Sequence, residues 1–146
     1  MSNTSDDYHI SVDANPDSKD VLFISDSLSR DAEAGAGMSK NFLKLGLFVR
    51  DGSGAITGGL IADIAWGWLY ICNLWLEDEI RGRGFGRKLL ETAEGEAKKR
   101  GCRNVYLETF SYQARPFYEK LGYEVYGMLD DMPPGHTRYL MRKRLG

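Results

Sequence analysis

The sequence feature that most constrains this chain is a glycine-rich stretch that joins an apolar segment to a helix-like segment. Residues 81–87 read Arg-Gly-Arg-Gly-Phe-Gly-Arg, and the apolar run of residues 69–76 comes before them. After the stretch, apolar residues recur at the spacing of one helix face: Leu89, Leu90, Ala93 and Ala97. A strand, a glycine turn and a helix N-terminus together expose backbone N–H groups at the positive end of a helix dipole. The stretch therefore predicts a polyphosphate-binding site, and the alternative is a flexible basic surface turn.

The spacing of the glycines decides which phosphate ligand fits. A dinucleotide fingerprint needs G-x-G-x-x-G, and its third glycine falls on Arg87 here. A nucleotide-binding P-loop needs the ending G-K-[ST], which this stretch lacks. The pattern that does match is R-x-x-G-x-G, with Arg81, Gly84 and Gly86 at its fixed positions. This hexapeptide resembles the coenzyme A pyrophosphate loop of the GNAT superfamily of N-acetyltransferases.

A second motif lies further along the chain, where residues 113–123 read Gln-Ala-Arg-Pro-Phe-Tyr-Glu-Lys-Leu-Gly-Tyr. It is similar to the second signature of the same superfamily, in which Asn or Gln opens a helix and F-Y-x-x-x-G-[FY] closes it. Gly122 can end such a helix, and Pro116 fits only in its first turn because proline has no N–H to donate. The two motifs have the order and separation of the family, and the resemblance covers residues 43–129 well.

Length and composition limit the class of protein. A chain of 146 residues predicts one domain, residues 1–146, in which the polar and acidic residues 1–7 are expected to be disordered. A net charge of −2 argues against general nucleic-acid binding, and no apolar run approaches the roughly 20 residues that span a bilayer. The sequence shows no secretory signal, and its two cysteines, Cys72 and Cys102, make neither a disulfide framework nor a metal site. We therefore expect a cytoplasmic protein without a metal, a nucleic-acid partner or a membrane.

Periodicity and turn signals place the elements along the chain. They predict a first strand at 8–12, a helix at 18–30 capped by Ser18, a loop at 31–41, strands at 42–50, 55–61 and 69–76, a helix at 85–100, a strand at 103–109, a helix from 113 or 114 to 121, and strands at 124–129 and 138–142. Gly58 and Gly59 within a strand indicate a bulge or the close approach of another backbone. This order predicts an α+β fold, a mixed and mostly antiparallel central sheet flanked by helices. The resemblance implies the GNAT-like fold of the acyl-CoA N-acyltransferases.

The resemblance also implies where the co-substrate acetyl-CoA binds. It would lie in a V-shaped gap, where the strand that ends at Leu76 parts from the strand at 103–109. The pantetheine amides would pair with backbone groups of about Leu74 and Leu76, as an added strand does at a sheet edge. The pyrophosphate would sit on the N–H groups of residues 81–86. The implied cofactor-binding residues are Leu74, Leu76, Arg81, Gly82, Arg83, Gly84, Phe85, Gly86, Gln113 and Phe117.

One catalytic residue follows from the resemblance. The hydroxyl of Tyr118 would face the thioester sulfur and protonate the departing thiolate, for which a phenol with an ordinary pKa near 10 is a suitable acid. A backbone N–H near Leu74 would stabilise the charge that develops on the carbonyl oxygen. The helix pattern alone instead makes Tyr118 a core aromatic.

The general base is not fixed by either motif. Related acetyltransferases often carry a carboxylate on the central strand, where this chain has Cys72 and Asn73. The candidates that could replace it are Glu108, Asp63, His136 and a chain of water molecules, or the amine could arrive already neutral. Cys72 as an acyl-carrying nucleophile is the weaker alternative to a buried structural thiol.

The acceptor is predicted to be a small amine, because nothing in the sequence indicates a long peptide groove. Asp130, Asp131 and His136 lie in a segment that often borders the acceptor site in this family. Exposed terminal strands and large aromatics favour a homodimer. Two alternatives stay open: a non-catalytic acyl-CoA-binding or sensing module, and an interaction domain that uses Trp66, Trp68 and Trp75 to dimerise.

Overall fold

The computed structural model describes residues 7–146, so nearly all of the segment predicted to be disordered, residues 1–7, lies outside the described residues. The chain divides into two compact units, residues 1–39 and residues 40–146. The prediction of a single domain over residues 1–146 stays a prediction. In the part of the chain that the structure describes, no helix is both long enough and apolar enough to cross a membrane.

The first unit contains one long helix, α1 (Ser18–Ala36). Its N-cap is Asp17, whose side chain accepts a hydrogen bond from the backbone N–H of Lys19 at 3.1 Å. The prediction that Ser18 is the cap is therefore wrong, because an equally good capping residue stands one position earlier. The helix ends at Gly37, which adopts a φ of 72° and bonds back to the last helical turn.

Two further predictions for this unit are wrong. Residues 31–36, predicted as the start of a loop, continue α1, because their alanines and glutamate favour a helix more than Gly35 opposes it. Residues 8–12, predicted as a first strand, form neither strand nor helix. An alternating pattern favours a strand only if a neighbouring strand supplies backbone partners, and no strand of the described chain pairs with this segment.

The second unit is built on a sheet of six strands in the order β1-β2-β3-β4-β6-β5. These are β1 (Leu43–Arg50), β2 (Ile56–Ala65), β3 (Trp68–Leu76), β4 (Asn104–Phe110), β5 (Glu124–Asp130) and β6 (Thr137–Arg144). β3 and β4 are parallel, and the other neighbouring pairs are antiparallel. The predicted α+β class with a mixed, mostly antiparallel sheet is confirmed.

Two α-helices connect the strands, α2 (Phe85–Lys99) between β3 and β4, and α3 (Arg115–Lys120) between β4 and β5. A short 3-10 helix, Asp78–Ile80, precedes α2. The apolar stripe of α2 and alternate strand residues form one buried core: Leu60, Ala62, Ile64, Leu69, Ile71, Leu89, Leu90, Ala93, Val105, Leu107 and Met141. The intervening strand residues, such as Tyr70, Tyr106 and Glu108, are half-buried. They point to the opposite face of the sheet, because side chains alternate along a strand.

The parallel pairing of β3 with β4 is short. It joins Trp68–Tyr70 to Asn104–Tyr106 and then stops. On its other side, β3 changes register against β2 between Ile71 and Asn73, so Cys72 is an extra residue in the ladder. A bulge of this kind bends the strand that carries it. Beyond Tyr70, the two strands part and leave a gap between them.

Gly58 and Gly59 let β2 lie close to both of its neighbours. A Cβ at Gly58 would lie 2.9 Å from the carbonyl oxygen of Trp75, and one at Gly59 would lie 2.6 Å from that of Leu47. The register against β1 also shifts next to Gly58, which makes Thr57 an extra residue. The predicted close approach and the predicted bulge are both confirmed.

We expect Gly59→Ala to lower the free energy of unfolding by about 1–3 kcal/mol, because the added methyl overlaps a backbone oxygen held in the β1–β2 ladder. Gly95→Ala in α2 is the matched control, since a Cβ there meets nothing within 4 Å. It should raise the stability by about 0.5–1 kcal/mol. Urea unfolding of both variants measures the difference, and equal stabilities would contradict the close approach.

Candidate active site

A cleft of about 900 Å³ opens where β3 and β4 part. Its walls come from β3, from the glycine turn and the start of α2, from the end of β4, from α3 and the segment before it, and from Arg138 of β6. All of these elements belong to the second unit. One end of the cleft is therefore lined by backbone N–H groups, and the remainder by apolar and polar side chains.

The glycine turn has the conformation that an anion site needs. Gly82 and Gly84 adopt φ values of 74° and 86°, a region that side chains with a Cβ rarely enter. Gly84 is the N-cap of α2, and no side chain bonds to the free N–H groups of the first helical turn. Those donors stay available to a ligand at the positive end of the helix dipole.

Gly86 serves a different purpose from the other two glycines. It lies inside α2, and a Cβ there would lie 3.4 Å from the ring of Phe117 and 3.7 Å from Leu76. The first turn of α2 therefore packs closely against the end of β3 and against α3. In this way Gly86 holds the two sides of the cleft together.

The arginines of the turn differ in their contacts. Arg81 donates from Nε to the Leu76 carbonyl at 3.0 Å and pairs with Asp78 at 3.0 Å, so it fastens the turn to the end of β3. Arg87 lines the cleft and pairs with Glu91 at 2.8 Å. The guanidinium of Arg83 instead lies 5.8 Å from the Phe85 ring and does not line the cleft.

Nine of the ten predicted cofactor-binding residues line the cleft, and Arg83 is the exception. Among them, Gln113 lies in the turn between β4 and α3, where its Oε1 accepts a hydrogen bond from the Phe110 N–H at 3.3 Å. The regular helix starts at Arg115, one or two residues later than predicted, with Pro116 in its first turn as predicted. Leu74 and Leu76 lie on the part of β3 that has parted from β4, so one backbone edge there has no strand beside it.

Tyr118 combines burial with access to the cleft. It is 7% exposed, and its ring packs edge-on against Phe117 at 5.1 Å and Tyr123 at 5.8 Å. Its hydroxyl makes no hydrogen bond to any of residues 7–146, and the residue lines the cleft. Burial raises the pKa of Tyr118 to about 12, because the ionised phenolate is poorly solvated there. The phenol stays protonated at neutral pH and can donate a proton.

Glu108 lines the same cleft from β4. Its Oε2 accepts hydrogen bonds from the Tyr70 hydroxyl at 3.2 Å and from Nη2 of Arg138. Its other oxygen, Oε1, has no hydrogen-bond partner within the described chain. Burial, followed by the charge of Glu108, raises the pKa of Tyr70 to about 12, so Tyr70 remains a donor to this carboxylate.

The other base candidates lie outside the cleft. Asp63 pairs with Lys44 at 2.7 Å, and His136 lies 3.4 Å from the Ser111 hydroxyl. Neither Asp63 nor His136 is among the residues that line the cleft. The structure therefore brings only Glu108, of the three side-chain candidates within the described residues, to the cleft that Tyr118 also lines.

Cys72 is not the buried thiol that the sequence predicts. It is half-buried, lines the cleft and forms the bulge of β3, whereas Cys102 is buried. Burial and then the charge of Asp63 raise the pKa of the Cys72 thiol. A raised pKa reduces the thiolate fraction that a nucleophile needs.

Sequence reasoning missed Tyr70 and Arg138 and left Arg87 out of the binding set. Tyr70 and Arg138 meet Glu108 only because β4 lies between β3 and β6, and the sequence does not give that strand order. Trp75 is exposed and lines the cleft, while Trp68 packs edge-on against Tyr106 at 5.6 Å. Within residues 7–146, no group of three or more His, Cys, Asp or Glu side chains could hold a metal ion.

Comparison with known proteins assigns this chain to a protein family. The sequence profile of the Acetyltransferase (GNAT) family matches residues 17–123. A blasticidin-S acetyltransferase of Streptomyces morookaense is 38% identical over 93 residues, which are 63% of this chain and 68% of that protein. The chain therefore belongs to the acetyltransferase (GNAT) family, and the prediction that it is an acetyltransferase enzyme is confirmed.

Solved structures support the same assignment. The crystal structure of a protein described as a putative acetyltransferase from Agrobacterium tumefaciens superposes with a TM-score of 0.88 at 31% identity, covering 94% of this chain and 99% of the other. An aminoglycoside 6'-N-acetyltransferase solved with coenzyme A shares the fold with a TM-score of 0.62 at 21% identity, covering 70% and 73% of the two chains. The predicted GNAT-like fold is confirmed.

Proposed function

We propose that this chain transfers the acetyl group of acetyl-CoA to the amine of a small molecule, by direct attack while both substrates are bound. The observation that carries the proposal is the cleft between β3 and β4. It connects an uncapped helix N-terminus at Gly84 to a buried phenol, Tyr118, and to a carboxylate, Glu108. Each of these groups suits one step of acetyl transfer from a thioester.

The residues at the glycine turn fit the donor substrate. Gly84 leaves space and free N–H groups for a pyrophosphate, and Arg87 adds a positive charge at the same wall. The open backbone edge at Leu74 and Leu76 suits the amides of a pantetheine arm, and Gln113 lines the same cleft. Acetyl-CoA, when bound, supplies the activated thioester.

Tyr118 acts as the general acid in this proposal. As the nitrogen–carbon bond forms and the carbon–sulfur bond breaks, the Tyr118 hydroxyl gives its proton to the departing sulfur. A backbone N–H near Leu74 stabilises the negative charge on the carbonyl oxygen. The raised pKa keeps the phenol in its acidic form over the working range of pH.

Glu108 binds the acceptor amine and removes its proton in this proposal. Oε2 is held by Tyr70 and Arg138, which fixes the carboxylate, and Oε1 is left to accept a hydrogen bond from the amine. The proton that the amine loses on attack passes to Glu108, directly or through water. The carboxylate absent from the central strand is in this way replaced by one on the adjacent strand β4.

The acceptor class is supported by the size of the cleft and by a relative. A volume of about 900 Å³ is within the range of small-molecule sites. The relative at 38% identity is named for the acetylation of blasticidin S, a small molecule.

A cytoplasmic location and a homodimer are further parts of the proposal. Light scattering that gives a mass near the 16.4 kDa of one chain would contradict the dimer.

The first prediction from the proposed function concerns the acetyl-CoA site. Gly84→Asp should abolish acetyl-CoA binding, because it places a side chain and a negative charge where the pyrophosphate sits. Gly54→Asp is the matched control, since Gly54 has a similar φ of 89° in the β1–β2 turn and also has nothing within 4 Å. Isothermal titration measures both variants, and unchanged affinity in a folded Gly84→Asp protein would refute the site.

The second prediction concerns Tyr118. Tyr118→Phe should lower kcat by about 10²-fold with little change in acetyl-CoA affinity, because the hydroxyl acts on charge that develops during reaction. With a pKa of about 12, ionisation of Tyr118 should cause no loss of wild-type kcat below about pH 11. Tyr126→Phe, outside the cleft, is the control. Equal activity of Tyr118→Phe and wild type at every pH would show that Tyr118 is a core aromatic without a catalytic role.

The third prediction concerns Glu108. Glu108→Gln should lower kcat/KM for the amine by roughly 10²-fold, because the amide cannot take up the proton. The exposed Glu119, which pairs with Arg115 at 2.8 Å outside the cleft, gives the control variant Glu119→Gln. A loss in Glu108→Gln that Glu119→Gln does not share, and that persists at high pH where the amine is already neutral, supports the assigned role. Full activity of Glu108→Gln at all pH values would assign proton removal to water.

Release of free thiol from acetyl-CoA across a panel of small amines tests the whole proposal. Turnover with at least one amine, lost in Gly84→Asp, is the expected result. Tight acetyl-CoA binding without thiol release by any amine would instead identify a sensing module. No binding at all would favour an interaction domain.

A further inference from the structure

A carboxylate that the proposed reaction does not use is buried behind the cleft. Glu94 of α2 is 8% exposed, accepts a hydrogen bond from the Tyr123 hydroxyl at 2.6 Å, and accepts another from Nζ of Lys143 at 2.9 Å. These three residues join α2, the turn after α3, and β6. None of them lines the cleft, so they do not contact a substrate there.

The triad of Tyr123, Glu94 and Lys143 reaches the cleft through Tyr118. The Tyr123 ring packs edge-on against the Tyr118 ring, with centroids 5.8 Å apart and planes at 71°. The N–H of Tyr123 also bonds to the Tyr118 carbonyl oxygen at 3.1 Å. Because the Tyr118 hydroxyl has no hydrogen bond to the described chain, packing of the Tyr118 ring, and not a bond to its oxygen, fixes the direction of the side chain.

Gly122 lies beneath the side chain of Lys143. It adopts a φ of 97°, and a Cβ there would lie 3.4 Å from Cε and 3.6 Å from Cδ of Lys143. The lysine stem therefore crosses over Gly122 to place Nζ at Glu94, 5.5 Å from the centre of the Tyr123 ring. The Gly-Tyr ending of the second motif thus does more than stop a helix.

We infer that Glu94, Tyr123 and Lys143 are positioning residues, which hold the Tyr118 ring so that its hydroxyl meets the leaving sulfur. The inference rests on the proposed role of Tyr118 as general acid. A buried ion pair is weak evidence for added stability, since apolar side chains often replace one without loss. It does fix directions, because each member has a partner at a defined geometry. A small displacement of a catalytic group can cost up to about 10²-fold in rate.

The test is a double-mutant cycle. Tyr123→Phe keeps the ring and removes only the hydroxyl that bonds to Glu94. We expect kcat to fall by roughly 10-fold while the KM for acetyl-CoA stays within about 2-fold of wild type. In a protein that already carries Tyr118→Phe, the same substitution should cause no further loss of kcat, because no hydroxyl remains to be positioned.

Two further variants separate positioning from general destabilisation. Glu94→Gln keeps an oxygen for the Tyr123 hydroxyl and should retain most of the kcat that Glu94→Leu loses. Ala97→Gly weakens the same helix at a buried site and should lower the melting temperature with kcat unchanged. If Tyr123→Phe does not fold, Lys143→Met keeps the stem, removes the Nζ–Glu94 bond and takes its place in the cycle.

The outcomes are distinct. Equal losses of kcat with and without the Tyr118 hydroxyl, or a matching loss in Ala97→Gly, would overturn the inference and leave a structural role. Full activity of Tyr118→Phe would overturn it too, since there would be nothing to position. In that case thiol release by the wild type would still support the proposed acetyltransferase reaction, so the two failures can be told apart.

Discussion

The parting of β3 from β4 is the constraint on which the rest of the site depends. Paired along their whole length, these parallel strands would leave neither an open backbone edge nor a cleft. The pairing stops after Tyr70, and the extra residue Cys72 bends β3 away. The glycine turn follows the displaced end of β3 after one short 3-10 helix, Asp78–Ile80. Its position, and that of the helix N-terminus after it, follows from the same bend.

The polar groups that line the cleft belong to opposite faces of the sheet. Tyr118 and the packing around Gly86 belong to the face that α2 covers, where burial keeps a phenol neutral. Glu108 belongs to the opposite, half-buried face, where hydrogen bonds from Tyr70 and Arg138 hold its carboxylate in place. A buried phenol and a hydrogen-bonded carboxylate therefore line a single cleft from opposite faces of the sheet.

Much of this arrangement can be predicted from sequence, and the limits have physical causes. The spacing of Gly84 and Gly86 predicts the anion site, but only the structure shows that Gly84 uses its positive φ, whereas Gly86 lies inside α2 in contact with Phe117 and Leu76. The prediction of a first strand at residues 8–12 is wrong because an alternating sequence pattern does not by itself supply a neighbouring strand to pair with. The contacts of Glu108 depend on which strands flank β4, and no local pattern encodes that order.

The alternation along β4 has a consequence for how such a protein changes over time. Val105, Leu107 and Thr109 are buried, while the intervening Tyr106, Glu108 and Phe110 are half-exposed on the other face. Substitutions at the half-exposed positions leave the packed core intact, and such changes usually alter stability little. Of these outward side chains, Glu108 and Phe110 line the cleft, so a change at either one alters the wall of the cleft without rebuilding the core beneath it.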